Sequence, residues 1–393
     1  LCGETSLRET NKFAGVSMNV YGKTSLYEIL GDFVVFRNLD PVDSRLPTLN
    51  DVRNSVDIPG GKTPRKGQPA YAQVVVRLLP AAAKLIDPNY TIQQLVYIGD
   101  TRMNDGNAFM TIADAGNWRG IAFIAAENQH PPAVDLVEEG TTTLFLANRW
   151  SALSDFETYC HDHDFNLMEG TAVIIDLDKT ALGARGRNDQ VINLARVEAV
   201  RRTVGNLLGE AFDLERFQKA YSLLNQPAFH SFTTDNQDYV AYICLVLGSD
   251  LYNLDFLVDT LEKGELETFE QFINSVNDRF EELPPALRDV HTSVYTRVQA
   301  GDPTPFKAFR YQEYQTTVAR MGCQGNWETV SELLSREIVI TQEVRNAALR
   351  WKGKGALLFG LSDKPDEASF PGEELAAHGY QPIHRIETYA VGE

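Results

Sequence analysis

Ala172-Val173-Ile174-Ile175-Asp176-Leu177-Asp178-Lys179-Thr180 is the stretch on which the reading of this chain turns. Four apolar residues in a row, with no polar alternation, suit a parallel strand buried on both faces. That strand runs straight into two carboxylates, Asp176 and Asp178, with Thr180 behind them. In an open α/β sheet, ligands sit at the carboxyl ends of the strands, so these acids land where chemistry is done. Two Asp flanking one residue can bind a hard cation, and one can attack an electrophile while the other moves a proton. The plainer alternative is a strand end whose acids serve as turn or helix-cap residues.

Composition narrows the classes. The chain has 393 residues, 43% of them hydrophobic and 23% charged, as in an ordinary globular protein of two or three domains. Its net charge of -18 offers no basic excess with which to release counterions from a nucleic-acid backbone. An acidic protein that handles phosphate needs a metal or a local basic pocket. Four scattered cysteines, Cys2, Cys160, Cys244 and Cys323, form no CxxC pair, which predicts a reduced, cytoplasmic setting. No apolar run reaches the roughly 18 residues of a membrane span, and no signal-peptide pattern opens the chain. Cys160-His161-Asp162-His163-Asp164 has the composition of a metal site, but neighbouring residues on a helix end cannot all point at one ion.

Other segments repeat the pattern of strand followed by polar residues. Leu95-Val96-Tyr97-Ile98-Gly99-Asp100-Thr101-Arg102-Met103-Asn104-Asp105 is a second buried strand, ending in Gly-Asp with another Asp five positions on. Residues 73–86 read as an apolar helix in which Pro80 predicts a kink or a split. Residues 33–36, 121–125 and 143–146 read as further strands. Ile338-Val339-Ile340-Thr341 is an apolar strand ending in a hydroxyl, and Ala356-Leu357-Leu358-Phe359-Gly360 is another, followed by Ser362-Asp363-Lys364-Pro365-Asp366-Glu367.

Asp-x-Asp-x-Thr after an apolar strand resembles the first motif of the haloacid dehalogenase-like phosphohydrolases. The resemblance implies that Asp176 is the nucleophile, that Asp178 is the general acid and base, and that Mg²⁺ neutralises the phosphate. Gly99 to Asp105 is similar to the fourth motif, whose acids complete the metal shell. Mg²⁺ would then sit between Asp176, the Asp178 carbonyl and Asp100, with Asp105 beside them. Thr341 resembles the hydroxyl of the second motif and Lys364 the lysine of the third, both binding phosphoryl oxygens. Lys66, ahead of the helix that leads to Asp100, competes for the lysine role. The family order is first to fourth, whereas here the fourth-like segment precedes the first. Circular permutation accounts for that order, since termini lie at the surface. The competing account is a degenerate N-terminal half fused to a complete domain whose metal acids are Asp363 and Glu367.

Residues 190–335 are helical in pattern, with candidate helices at 190–208, 213–224, 238–247, 268–281, 285–298 and 305–321. Asp213, Asp235 and Thr268 are candidate N-caps, Gln271 completing a capping box with Thr268. This reads as a helical cap inserted after the Gly-containing hinge at 183–186, able to close, exclude water and select a ligand. Lys307 and Arg310 within it, and Arg185 and Arg187 just ahead of it, are candidate anion-binding residues.

The expected fold is therefore α/β: a Rossmann-like parallel sheet with helices on both faces, built from 1–187 and 336–393, plus an all-helical cap at 188–335. The expected function is Mg²⁺-dependent hydrolysis of a small phosphorylated metabolite, with neither nucleic acid nor membrane as partner. A phosphotransferase or mutase on the same scaffold, and an inactive binding or regulatory protein, stay open at this point. So do the substrate and the oligomeric state.

Overall fold

The computed structural model describes residues 17–56, 58, 63–323 and 325–393. Cys2 and the Pro59 to Lys62 part of the basic loop lie outside the described residues. The chain divides into two compact units. The first comprises 1–194, 317–370 and 375–393, and the second 195–316 with 371–374.

Among the described residues the first unit has ten strands. In chain order they are β1 (Asn19–Thr24), β2 (Val34–Val35), β3 (Gln94–Gly99), β4 (Arg119–Ala125), β5 (Val134–Glu139), β6 (Thr142–Ala147), β7 (Thr171–Asp176), β8 (Ile340–Thr341), β9 (Leu357–Leu361) and β10 (Thr388–Gly392). Seven form one sheet in the order β2-β9-β7-β3-β4-β6-β5. Every neighbouring pair is parallel except the hairpin of β5 with β6. The strand that carries Asp176 is central, between β3 and β9, and every residue of it is buried. This is the outcome expected of an unbroken apolar run. β5 was not legible, because its side chains are mostly exposed and no apolar run marks it.

Side-chain alternation divides the sheet into two packed faces. Leu95 and Tyr97, Ala122 and Ile124, Ala172 and Ile174, and Leu357 and Phe359 join one buried cluster. Val74, Val75, Leu78 and Leu79 of helix Pro69–Ile86 and Phe109 and Ile112 of helix Asn107–Gly116 fill the same cluster. The first of these helices continues through Pro80 without a break, so the expected split does not occur. On the other face, Phe123 of β4 and Phe145 of β6 meet Phe156 edge-on, and Phe156 packs on Trp351. Those two aromatics belong to helices Leu153–Asp162 and Gln342–Gly353. The unit is thus an α/β sandwich with helices on both faces.

β1, β10 and β8 form a separate three-stranded sheet. Of Ile338 to Thr341, expected as one strand, only Ile340–Thr341 is extended, and it pairs in this smaller sheet.

The second unit is helical. Its elements include Leu214–Leu224, Gln237–Gly248, Leu254–Glu262, Phe269–Asp278, Pro285–Gln299 and Lys307–Val318, the last running on into the first unit. Asp213 caps its helix, and Thr268 with Gln271 forms the expected capping box. Asn236, rather than Asp235, caps Gln237–Gly248. Val240, Ile243, Phe272, Ile273, Phe306 and Phe309 lie in one apolar core. Among the described residues no helix is long and apolar enough to cross a membrane.

Candidate metal centre

The site forms where β7 and β3 end side by side. β7 delivers Asp176 as its last residue. β3 ends at Gly99, and the chain then makes one wide helical turn, Arg102–Gly106, that brings Asp105 back over the strand end. Gly99 is required for that return: a Cβ there would stand 2.5 Å from the Asp105 Cβ. The turn is held by the Thr101 carbonyl, which accepts from the Asp105 and Gly106 amides at 2.9 and 3.1 Å. Such wide turns are frequent at functional sites.

Asp100, Asp105 and Asp176 are all buried and each offers a carboxylate oxygen within 4.8 Å of the others. Three hard oxygen donors in that arrangement could hold a metal ion. The Asp178 carboxylate is not among them; its side chain is 28% exposed and lies 3.9 Å from Lys364 Nζ.

Lys66 reaches into the cluster from just before helix Pro69–Ile86. Its Nζ donates to Asp105 Oδ1 at 2.5 Å and to Asp176 Oδ1 at 2.7 Å. The ammonium also lies 5.6 Å from the centre of the Tyr97 ring. Burial alone would lower the lysine's pKa, but Asp176 and Asp105 outweigh it and hold Lys66 well above the usual lysine range. Lys66 is therefore a fixed positive charge.

Asp105 is saturated. Its Oδ2 accepts from the Asp100 and Thr101 amides and the Thr101 hydroxyl at 3.0, 2.9 and 3.1 Å. Its Oδ1 accepts from Lys66 and from the Tyr97 hydroxyl, the latter at 3.2 Å. Burial opposes ionisation here, yet Lys66 and these hydrogen bonds bring the Asp105 pKa below the usual carboxylate range. Asp100 goes the other way. Burial and the neighbouring Asp105 push it up to about 7, against the pull of Arg185, whose Nε donates to Asp100 Oδ2 at 2.5 Å. Asp176 is pushed well up by burial, against the pull of Lys66, with Asp105 and Asp100 adding to the rise. Three buried carboxylates beside two cations carry one negative charge too many, which a proton or a metal ion would offset.

The remaining expected site residues are placed elsewhere. Thr341 sits in the small sheet and donates its hydroxyl to the Thr180 carbonyl at 2.5 Å, while its amide donates to Ala181 at 3.0 Å. It braces the loop after β7. Ser362 is the hydroxyl at the end of the neighbouring strand: it follows Leu361, which pairs with Asp176 across β9 and β7. Lys364 approaches Asp178, so the lysine on Asp176 is Lys66. Asp363 pairs with Arg37 at 3.1 Å and is half-exposed, whereas Asp100 is the acid beside Asp176.

Two of the four expected anion-binding residues are internal ties. Arg187 is fully buried and holds Glu127 and Glu343 at 2.6 and 2.9 Å. In the helical unit, Arg310 is buried against Asp238 and, at 2.6 Å, Glu313. Their guanidinium groups are already matched by carboxylates, so a ligand would have to break a buried ion pair to reach them. Lys307, in the same unit as Arg310, pairs with Asp302 at 3.1 Å. Of the two in the first unit, Arg185 is the one that reaches the acid cluster, through Asp100. His161 and Asp162 of the Cys160 to Asp164 run are exposed while Cys160 is buried, and among the described residues no metal-holding group forms there.

The sequence left Lys66 as one of two candidate lysines and assigned no phosphoryl-binding role to Ser362, whose neighbour Leu361 pairs with Asp176. The available signal was positional: a lysine just ahead of the helix that feeds β3, and a serine just past an apolar strand. Tyr97 carried no signal, because a tyrosine inside a buried strand reads as core. No family model, curated protein or solved structure matches the chain.

Proposed function

We propose that this protein is a divalent-cation-dependent phosphohydrolase of the haloacid dehalogenase-like type, with its sheet circularly permuted, acting on a small phosphate monoester. The observation that carries the reading is the meeting of Asp176, Asp100 and Lys66 at the carboxyl ends of two adjacent parallel strands. The strand-end Asp176, a lysine and a Gly-Asp turn drawn from separate parts of the chain converge there, as hydrolysis through an aspartyl-phosphate requires. Permutation is favoured over a degenerate tandem because Asp100 neighbours Asp176 while Asp363 pairs with Arg37.

The donor set fits a hard cation such as Mg²⁺: it is all oxygen and carries surplus negative charge. Asp176 and Asp100 would hold it. Asp105, its oxygens already taken by five donors, would fix Lys66 and the turn. When bound, the cation supplies electrostatic neutralisation of the phosphoryl oxygens.

The chain's own groups do the rest. An Asp176 oxygen attacks phosphorus, and the ester oxygen departs with a proton from Asp178. Asp178, now a carboxylate, takes a proton from water as that water attacks phosphorus. Inorganic phosphate leaves and Asp176 is regenerated. Lys66 holds Asp176 in place and faces the phosphoryl group. Ser362 takes the hydroxyl role first expected of Thr341.

The test is Asp176→Asn assayed on a generic phosphate ester with and without Mg²⁺. Turnover should fall by about a thousand-fold or more, with the far-ultraviolet spectrum unchanged. Hydrolysis retained in that variant would overturn the assignment.

A further inference from the structure

Arg185 sits on a loop whose main chain is fixed. Its amide donates to the Lys179 carbonyl at 2.7 Å, and its carbonyl accepts from the Glu127 amide at 3.0 Å and from Trp150 Nε1 at 3.2 Å. The next residue, Gly186, has φ 78° and packs so closely on the Glu127 main chain that a Cβ would collide with it. The side chain is free of such constraint. It is 35% exposed and crosses to Asp100, whose carboxylate is 8% exposed. Arg185 is therefore a solvent-reachable cation on a rigid mount, laid over a buried carboxylate.

The charge count gives this contact a meaning. Asp100, Asp105 and Asp176 carry three negative charges when ionised, and Lys66 offsets one of them from inside. Arg185 offsets one more and leaves one. A divalent ion in its place would offset both. In a low-dielectric site the Coulomb attraction favours the ion that cancels more charge, against the cost of stripping part of its water. A guanidinium is also weakly hydrated and always charged, which suits it to hold a buried carboxylate until something better arrives.

We propose that Arg185 is an exchangeable counterion for Asp100, which a divalent metal ion displaces on binding. This rests on the reading of Asp100 as a metal ligand. The arginine keeps the acid cluster folded and charge-matched in the metal-free protein, and it sets a threshold on the metal concentration the site responds to. Once displaced, its guanidinium would be released to meet an oxyanion of the ligand. Cation and anion binding are then coupled through one side chain.

The experiment is Mn²⁺ binding to the full chain, followed by electron paramagnetic resonance and calorimetry, for wild type, Arg185→Ala and Arg185→Lys. Asp100→Asn serves as the site control. Competition predicts that Arg185→Ala binds Mn²⁺ roughly 5- to 100-fold tighter than wild type, with Arg185→Lys between them and Asp100→Asn much weaker. Unchanged or weaker binding in Arg185→Ala, with wild type still binding, would overturn the exchange and leave the metal reading standing; Arg185 would then simply position Asp100. Absence of Mn²⁺ binding in both wild type and Arg185→Ala would overturn the metal reading and the exchange together. Thermal unfolding of each variant without metal confirms that folded protein is being compared.

Discussion

Lys66 Nζ lies 2.7 Å from Asp176 Oδ1, across 110 residues of chain. The same ammonium holds Asp105 at 2.5 Å, so one lysine ties the ends of β3 and β7 together. All three side chains are nearly sealed from solvent. A charge pair this buried is poor evidence of net stabilisation, but removing one member is costly because the other is left unpaired.

Lys66→Ala should accordingly destabilise the first unit by about 3–5 kcal/mol, read by urea unfolding. Combining it with Asp176→Asn should cost less than the sum of the two, because the second change removes one stranded charge. A loss under about 1 kcal/mol would show that the pair is solvated rather than buried.

Asp100 predicts a pH dependence. Its carboxyl is pushed up to about 7 in the folded chain and falls near 3.9 once unfolded. The folded state holds a proton that the unfolded state has released, so this contribution is complete below about pH 4 and is lost as pH rises through about 7. Between pH 6 and pH 8 the metal-free protein should lose about 1–1.5 kcal/mol relative to Asp100→Asn. Parallel pH profiles of the two proteins in chemical denaturation would contradict this. Added Mg²⁺ should flatten the wild-type profile.

Ser362 and Thr341 separate function from support. Ser362→Ala should lower kcat/KM roughly 100-fold, the scale of losing one donor to a developing oxyanion, alongside a stability loss of about 1–3 kcal/mol from the Lys364 amide that its hydroxyl accepts from at 3.2 Å. Thr341→Val should cost about 1–3 kcal/mol, since the Thr180 carbonyl is left buried and unsatisfied, while turnover per folded molecule changes only a few-fold. The reverse pattern would restore Thr341 to the phosphoryl group.

Arg187→Ala should cost about 3–5 kcal/mol by stranding Glu127 and Glu343. Arg187→Lys should rescue little of it, because one ammonium cannot match two carboxylates held by a planar fork. An effect confined to KM, with no change in unfolding, would return Arg187 to the ligand.

The central strand was legible because burial on both faces demands an unbroken apolar run, and Ala172 to Ile175 supplies one. The acids at its end, the Gly-Asp turn after β3 and the capping box at Thr268 and Gln271 are also local patterns, set by backbone geometry and neighbouring hydrogen bonds. What a strand pairs with is not local. Ile338 to Ile340 is as apolar as β9, and only packing limits its strand to Ile340–Thr341 and places that in the small sheet, where Thr341 braces a loop. The identity of a charge's partner is equally remote. Arg185 and Arg187 stand two residues apart, yet one lies partly in solvent over Asp100 and the other is sealed between Glu127 and Glu343. Sequence fixes which residues carry charge, but desolvation decides which charges must pair, and that depends on what the rest of the chain leaves within reach.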